Sequence, residues 1–203
     1  QWQLDGWPKV SEDSPELLMP VGGGELRMAA TGMSLGKIDI AFPVLHGLNG
    51  EDGSIQGLLQ LCKIPYVGNG VLASALAMNK AIAKSAFRDA GIPVAKDLVI
   101  TRSEWAAGRE RILKEAAKFL SPSCFIKPSR SGSSVGVTKA HDVLELEAGI
   151  EEALGHDNTA LVEEQVLGRE IECSVLEHPG GELQVSLAGE IVVEGDGFYD
   201  YEN

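Results

Sequence analysis

The first part of the chain alternates apolar and polar segments in the manner of an α/β domain. Residues 38–45, IDIAFPVL, are almost continuously apolar, which predicts a buried strand of a parallel sheet. The polar loop HGLNGEDG follows, and residues 54–62, SIQGLLQLC, have the apolar spacing of a helix. Because open α/β sheets bind ligands at the carboxyl ends of their strands, this loop is a candidate binding segment.

From about residue 79 the pattern becomes that of an α+β domain. Asn79 is predicted to cap a helix over 81–90, and Thr101 with Glu104 predicts a capping box for a helix that runs to about Leu120. Another helix is predicted at 142–154, and strands are predicted at 97–100, 124–127, 135–138, 160–164, 170–177 and 183–193. The predicted fold class is therefore mixed, with a partial α/β domain followed by an α+β domain.

The segment FIKPSRSGSSVGVT, residues 125–138, carries the strongest chemical signal. It places Lys127 at the end of an apolar strand and follows it with a loop in which Gly132 and Gly136 allow close backbone approach. Hydroxyl donors come from four serines of this loop, Ser129, Ser131, Ser133 and Ser134. These groups suit the phosphates of a triphosphate nucleotide, and a solvated Gly/Ser turn without a ligand is the alternative.

The connections of this loop exclude two familiar phosphate-binding motifs. Walker A and the dinucleotide fingerprint both run from a strand directly into a helix, and neither motif is present. After Gly132 the chain returns to the β-branched residues Val135, Val137 and Thr138. The loop is therefore predicted to lie at the tip of a β-hairpin.

The charge of the chain restricts its partners. There are 17 basic and 30 acidic side chains and the formal net charge is −13, which argues against non-specific binding to nucleic acids or anionic membranes. ATP would be repelled by this overall charge, so a site for it needs local positive charge. The candidates are Lys80, Lys84, Lys127 and Arg130.

The sequence favours a cytoplasmic protein. No apolar run approaches the roughly 18 residues of a membrane span, and no signal peptide is visible. Three cysteines, Cys62, Cys124 and Cys173, lie far apart in apolar contexts without a CxxC pair, so we expect buried, reduced thiols.

Several further polar residues are candidates for a site. Glu163 ends a predicted strand and is placed to contact an adenine edge, while Glu170 could accept hydrogen bonds from ribose; solvent-facing charge is the alternative for both. Lys80 begins a helix, where an anion is favoured, although an ordinary surface lysine is also consistent with the pattern. His46, fixed by Glu51, could orient an amino-acid substrate, or the loop could be braced for structural reasons alone.

Five ordered segments together resemble the D-alanine:D-alanine ligases of the ATP-grasp superfamily: FPVLHGLNGEDGSIQGLLQL, IPYVGNGVLASALAMNK, IKPSRSGSSVGV, LVEEQVLGREIECSV and FYDYE. The resemblance runs from about Ile38 to the last residue. It implies a partial pre-ATP-grasp α/β domain over 1–78, a central ATP-grasp subdomain over 79–168 and the start of a C-terminal ATP-grasp subdomain over 169–203.

The resemblance also implies an activity and a set of contacts. Such enzymes transfer the γ-phosphoryl group of ATP to one D-alanine and join the acyl phosphate to a second D-alanine, in the cytoplasm and often as homodimers. By the same resemblance the phosphates would meet Lys80, Lys127 and the loop serines Ser129, Ser133 and Ser134. Glu163 would meet adenine and Glu170 the ribose, and the amino-acid pocket would be lined by His46, Glu51 and Ser133.

The family's Mg²⁺ (or Mn²⁺) ligands and its oxyanion arginine are expected beyond Asn203. A polypeptide ending at Asn203 is accordingly expected to lack ligase activity. Three other interpretations stay open: a D-alanine:D-lactate ligase, a non-catalytic ATP-grasp module and a structural scaffold. FYDYE favours the dipeptide enzyme by resemblance.

Overall fold

The computed structural model describes residues 15–132 and 134–192 of the 203-residue chain. The chain forms two compact units, of which the first ends at Leu76 and the second begins at Ala77. The domain limits at residues 78 and 168 stay predictions.

The first unit contains a small antiparallel sheet and one helix with its own core. The sheet consists of β1 (Leu17–Leu18), β2 (Glu25–Met28) and β3 (Ser34–Lys37), and the helix is α1 (Ser54–Leu61), close to its predicted bounds. Leu59, Cys62 and Ile64 form the buried centre of this core. A second helix, α2 (Val71–Met78), begins near the end of the unit.

The predicted buried strand at 38–45 is wrong. Within the described residues this run forms a single parallel bridge, Ala41 with Tyr66, and Phe42 and Val44 are 72% and 69% exposed. A parallel strand is buried only when neighbours pair on its edges and helices cover both faces, and one bridge supplies neither. The apolar composition of the run therefore did not decide its structure.

The second unit follows the predicted order of elements closely. Its helices are α3 (Lys80–Asp89), α4 (Arg102–Ala116), with a 3₁₀ turn at Ala117–Phe119, and α5 (Val143–His156). The predicted caps are confirmed, because the Asn79 side chain accepts from the Ile82 N–H and Thr101 with Glu104 forms a complete capping box. The strands of its main sheet are β4 (Asp97–Thr101), β5 (Cys124–Pro128), β6 (Thr138–Ala140) and β7 (Thr159–Glu164).

These four strands form an antiparallel sheet in the order β4-β7-β5-β6, with one face covered by helices. Side chains alternate between the two faces of a strand, so Cys124 and Ile126 of β5 point the same way and are fully buried. They join Leu146, Ile150 and other residues of α4 and α5 in the main core. The strands β5 and β6 form the predicted hairpin around the glycine loop.

Four short strands follow the main sheet. β8 (Glu170–Glu172) pairs with β11 (Gly189–Ile191), and β9 (Val175–Glu177) pairs with β10 (Leu183–Val185). The predicted long strands at 170–177 and 183–193 are thus each interrupted. Cys173 lies at one interruption and is exposed, so the expectation of a buried thiol is wrong there, whereas Cys62 and Cys124 are buried as predicted.

Across the described segments, we find no helix with the length and apolar character that crossing a membrane requires.

Two glycines of α5 give a matched test of the packing between this helix and the sheet. A Cβ added at Gly149 would lie 2.5 Å from Thr138 Oγ1 and 3.0 Å from Ile126 Cδ1, whereas a Cβ at Gly155 meets nothing within 4 Å. We expect Gly149→Ala to lower the free energy of unfolding by about 1–3 kcal/mol through overpacking. Gly155→Ala should leave it unchanged or raise it by up to about 1 kcal/mol through better helix propensity. Denaturant unfolding of the two variants checks this, and equal effects would contradict the close packing at Gly149.

Candidate functional site

The face of the main sheet opposite the helical core carries a row of polar and aromatic side chains. Strand pairing places Asp97 opposite Glu163, Glu163 opposite Phe125, and Phe125 opposite Lys139, so the row crosses all four strands. Directly opposed residues share a face of the sheet, and Lys127 joins the same face two positions after Phe125. The alternation that buries Cys124 and Ile126 is therefore what directs Phe125 and Lys127 to the open face.

At the centre of this row a buried carboxylate is shared by two lysines. Glu163 is 9% exposed; its Oε1 pairs with Lys84 Nζ and its Oε2 pairs with Lys127 Nζ. Burial is the largest influence on the pKa of Glu163 and would raise it, but the charges and hydrogen bonds of Lys127 and Lys84 together outweigh burial and lower the pKa. The carboxylate is therefore ionised at neutral pH.

The ion pairs continue towards the edge strand β4. Lys84 Nζ also lies 3.3 Å from Asp97 Oδ1, and the same oxygen pairs with the guanidinium of Arg88. The chain of alternating charges runs Arg88, Asp97, Lys84, Glu163, Lys127. Lys84 and Arg88 are four residues apart on α3, so one helical face supplies two of its three cations.

Lys80, at the start of α3, is tied to the root of the glycine loop. Its backbone N–H donates to the Ser129 carbonyl at 2.9 Å, and its Nζ donates to the Ser131 carbonyl. Burial first, and then the nearby charge of Lys127, lower the pKa of Lys80, while Glu163 and Asp157 act in the opposite direction. These two bonds join α3 to the glycine loop at Lys80. They also hold the Lys80 ammonium group near Lys127.

Ser129 is fully buried, and its hydrogen bonds strengthen the connection between α3 and the root of the glycine loop. Its hydroxyl donates to Asn79 Oδ1 at 2.7 Å, and its N–H donates to the Thr159 carbonyl at 2.8 Å. The structure therefore gives Ser129 a bracing role. Its predicted contact with phosphate stays a prediction.

Arg130 does not act as an unpaired positive charge. Asp157, whose side chain is 3% exposed, accepts from the backbone N–H of Arg130 and from its guanidinium Nη2 at 2.7 Å. Asp157 follows α5 and so fastens the loop root to the end of that helix. Asp157 balances the charge of Arg130, and the part of Arg130 in binding an anion stays a prediction.

The glycine loop itself is held close to β5 and α5. Gly136 has a φ of +72°, and a Cβ there would lie 2.6 Å from the ring of His156 and 2.9 Å from Pro128. Both the backbone conformation and the space therefore require glycine at this position. Ser134 is placed in the turn that precedes Gly136, whereas Ser133 lies outside the described residues.

A pocket of about 360 Å³ opens beside the row. Phe125 and Lys139 form one wall, with the Lys139 Nζ 5.8 Å from the centroid of the Phe125 ring. The segment 165–170 and the end of β11 form the rest of the lining, and Glu170 is among these residues. Glu163 stands next to Phe125 in the row, so the pocket and the charged chain are neighbours on one face of the sheet.

The loop HGLNGEDG in the first unit is braced by its own acids. Glu51 Oε2 accepts from the Gly47 N–H at 2.6 Å, and Asp52 accepts from the N–H groups of Asn49 and Ser54. Among the residues described, His46 and Glu51 share no hydrogen bond, so the predicted fixing of His46 by Glu51 is wrong. Instead, the Glu51 carboxylate accepts a hydrogen bond from the backbone N–H of Gly47, which has a φ of +73°. A role of both residues in an amino-acid pocket stays a prediction.

Sequence reasoning missed the partners that organise the site. Lys84 was recognised only as a source of charge, and Asp97, Asp157 and Phe125 were not singled out. The signal for Lys84 was its spacing of four from Lys80, which places both on one helical face. Asp97 and Phe125 become visible only once strand register is known, because the residues that they oppose are distant in sequence.

The shared carboxylate predicts a pH-dependent stability. Because the folded-state pKa of Glu163 is lowered, its stabilisation is complete above its ordinary value of 4.5 and is lost as the pH falls below that value. We expect Glu163→Gln to reduce the free energy of unfolding by about 3 kcal/mol at pH 7, since it leaves Lys127 without its anion and the buried Lys84 with Asp97 alone. The difference from the unaltered protein should shrink as the pH falls below 4.5.

Urea unfolding at a series of pH values measures this difference. The matched control is Glu110→Gln, at an exposed position of α4, for which we expect a change under about 0.5 kcal/mol. A penalty for Glu163→Gln that stays constant or grows below pH 4.5 would contradict an ionised, lysine-bound carboxylate.

Two family models match the chain. The model described as "D-ala D-ala ligase C-terminus" matches residues 86–203, and the one described as "D-ala D-ala ligase N-terminus" matches residues 8–69. Each match lies within one of the two compact units, and residues 70–85 lie between them.

Curated proteins and solved structures agree with this match. A "D-alanine--D-alanine ligase" of Mycobacterium sp. (strain KMS) is 44% identical over 206 residues, covering 96% of this chain and 54% of that protein. The structure of D-alanyl-alanine synthetase A from Vibrio cholerae has a TM-score of 0.79 at 32% identity and covers 99% of this chain and 58% of its own. The VanG D-Ala:D-Ser ligase from Enterococcus faecalis has a TM-score of 0.77 at 40% identity, with coverages of 94% and 54%.

The chain thus spans about half the length of the relatives that it matches. The Mycobacterium protein is 44% identical to this chain, and the two solved structures share its mixed α/β ATP-grasp fold. By the family models, the sequence identities and the structural likeness, this chain belongs to the D-alanine:D-alanine ligase family.

Proposed function

We propose that the open face of the main sheet binds ATP, and that the whole protein uses this ATP to join two D-alanines. The observation that carries the proposal is the row Glu163, Phe125 and Lys139, with Lys127 beside it. This row brings an aromatic-walled pocket and a group of buried and partly buried lysines to the same face. A nucleotide needs both, because its base is planar and apolar on its faces while its phosphates are anionic.

The base would enter the pocket beside Phe125, where stacking on the ring and contact with the Lys139 side chain are available. Glu163 would accept a hydrogen bond from the adenine amino group, and Glu170, in the pocket lining, would accept from the ribose hydroxyls. The phosphates would lie towards Lys127 and Lys80. Charge-assisted hydrogen bonds of about 1.5–3 kcal/mol each from these two lysines support nucleotide binding.

The proposed reaction breaks the bond between the β–γ bridging oxygen and the γ-phosphorus of ATP as a carboxylate oxygen of the first D-alanine attacks that phosphorus. The amine of the second D-alanine then attacks the acyl phosphate carbon, so a C–N bond forms, phosphate leaves and the amine loses a proton. Positioning and neutralisation of phosphate charge carry most of the barrier lowering in such transfers. Lys80, Lys127 and the amide-rich glycine loop supply that neutralisation, and a loop lying over the site keeps water from the acyl phosphate.

Residues of the first unit and the loop tip complete the proposal. On family resemblance, each of His46, Glu51 and Ser133 is proposed to contact an amino-acid substrate. Ser134 is proposed to contact phosphate. Ser129 is proposed to do the same once its hydroxyl no longer donates to Asn79 Oδ1.

A divalent cation is part of the proposed cofactor set. Within residues 15–132 and 134–192 no group of three or more His, Cys, Asp or Glu is arranged to hold a metal ion. The Mg²⁺ or Mn²⁺ that accompanies ATP is therefore proposed to rely on the phosphates and on other residues of the whole protein. A cytoplasmic location and a homodimeric assembly are proposed on family resemblance alone.

Other second substrates are rivals within the same chemistry. The VanG protein is named as a D-Ala:D-Ser ligase and is 40% identical, so D-serine stands beside D-lactate as an alternative second substrate. The segment FYDYE, which favours the dipeptide product by resemblance, lies outside the described residues.

Replacement of Lys127 tests the nucleotide site. Lys127→Ala leaves Glu163 with Lys84, so the fold should survive, while loss of one phosphate contact should raise the Kd for ATP about tenfold or more. Calorimetric titration with a non-hydrolysable ATP analogue measures the Kd, and Lys114→Ala, at an exposed position of α4, is the matched control.

Thermal stability separates this site from a purely structural scaffold. The analogue at 100 times its Kd should add about 2.7 kcal/mol to the stability of the protein. An unchanged Kd for Lys127→Ala, or a loss of folding equal to the loss of binding, would count against the role given to Lys127.

The second substrate is tested by product analysis on the full-length protein. With ATP, Mg²⁺ and D-alanine alone we expect ADP release together with a product of the mass of D-alanyl-D-alanine. Parallel reactions contain equimolar D-serine or D-lactate in addition. ADP release that requires D-serine or D-lactate would overturn the proposed substrate, and ATP binding without any ADP release would favour the non-catalytic module.

A further inference from the structure

Lys84 is a buried cation that the proposed reaction does not use. It lies one helical turn after Lys80 on α3, its side chain is 10% exposed, and it is not part of the pocket lining. Lysine is rarely buried unless paired, and here it pairs with two carboxylates, Glu163 and Asp97. A lysine buried in this position acts through the two carboxylates with which it pairs.

The two oxygens of Glu163 have different environments. Oε1 is held by Lys84, which Asp97 holds from the other side, and Asp97 is itself held by Arg88. Oε2 is held by Lys127, whose side chain is 24% exposed and whose ion pairs within the described residues involve Glu163 alone. The Lys84 contact is therefore anchored from both sides, whereas the more exposed Lys127 has no second carboxylate within the described residues to hold it.

We propose that Lys84 is a positioning residue: it keeps the Glu163 carboxylate in place through Oε1 while Oε2 exchanges the Lys127 ammonium for the amino group of adenine. The inference rests on the nucleotide site proposed above. In the ligand-free protein Glu163 serves as the counter-ion that phosphate later replaces at Lys127. Of the two lysines that hold Glu163 in the described part of the chain, Lys84 then stays on the carboxylate.

The chemistry of the exchange explains why a third lysine is needed. A triphosphate carries more negative charge than a carboxylate, so it competes successfully for Lys127. Without Lys84, Glu163 would be left buried and unpaired at that moment, which favours its protonated form. A protonated carboxyl donates as well as accepts, so it would no longer distinguish an amino group at purine position 6 from a carbonyl oxygen.

The selectivity of the protein between purine bases therefore tests the proposal, because a lysine with only a structural role would not alter it. ATP and ITP differ at position 6, where ATP has an amino group and ITP a carbonyl oxygen that an ionised Glu163 would repel. We measure the Kd of each nucleotide, with Mg²⁺, for the full-length protein by competition against a fluorescent ATP analogue. The unaltered protein should bind ATP at least tenfold more tightly than ITP.

Lys84→Met replaces the lysine with an uncharged side chain of similar length. Asp97 keeps Arg88 and Glu163 keeps Lys127, so the ligand-free variant should fold. Its ATP affinity should fall at least tenfold, its ITP affinity should change less than threefold, and the ATP to ITP ratio should fall towards one. Lys84→Arg, which keeps the charge, should restore much of the ratio.

A double substitution tests whether Lys84 acts through Glu163. Adding Lys84→Met to Glu163→Gln should change neither Kd by more than about threefold, because the carboxylate is already absent. If Lys84→Met does not fold, Lys84→Gln, which keeps an N–H donor for Oε1, is measured in its place with the same expected fall in ratio.

The outcomes are separable. Failure of the unaltered protein to bind ATP would overturn the proposed function. Tight ATP binding with an unchanged ATP to ITP ratio in the Lys84 variants, or equal weakening of both nucleotides, would overturn the positioning role and leave the nucleotide site standing.

Discussion

One buried carboxylate, shared by two ammonium groups, organises the open face of this protein. Glu163 would be costly to bury as an ion without partners, and Lys84 and Lys127 would repel each other without it. The three groups come from two strands and a helix, β7, β5 and α3, so their mutual neutralisation fixes α3 against the sheet. The same contact keeps positive charge available in a chain whose net charge is strongly negative.

The sheet separates stability from chemistry by the alternation of its side chains. On one face Cys124, Ile126 and other apolar residues pack under α4 and α5. On the other face Phe125 and Lys127, each one position along, meet the pocket and Glu163. A shift of one residue in the register of β5 would exchange the two sets, so the close packing at Gly149 protects the site as well as the core.

Local signals in the sequence predicted most of the second unit. The features that the sequence did not predict depend on contacts between residues that are distant along the chain. Asn79 and Thr101 mark helix starts by chemistry that acts within three residues, and the hairpin around the glycine loop follows from its composition. The strand at 38–45 was wrong because burial of an apolar run needs pairing partners that the run does not encode. The partner of Arg130 was missed for a similar reason, since Asp157, its counter-ion, lies 27 positions later and meets it only in the folded chain.

A crystal structure of the full-length protein with a non-hydrolysable ATP analogue and Mg²⁺ tests the account most directly. The account predicts that Lys127 Nζ leaves Glu163 and lies within hydrogen-bond distance of a phosphate oxygen, as does Lys80 Nζ. Glu163 then contacts the adenine amino group and keeps Lys84. A complex in which Lys127 still holds Glu163, with the phosphates bound elsewhere, would contradict it.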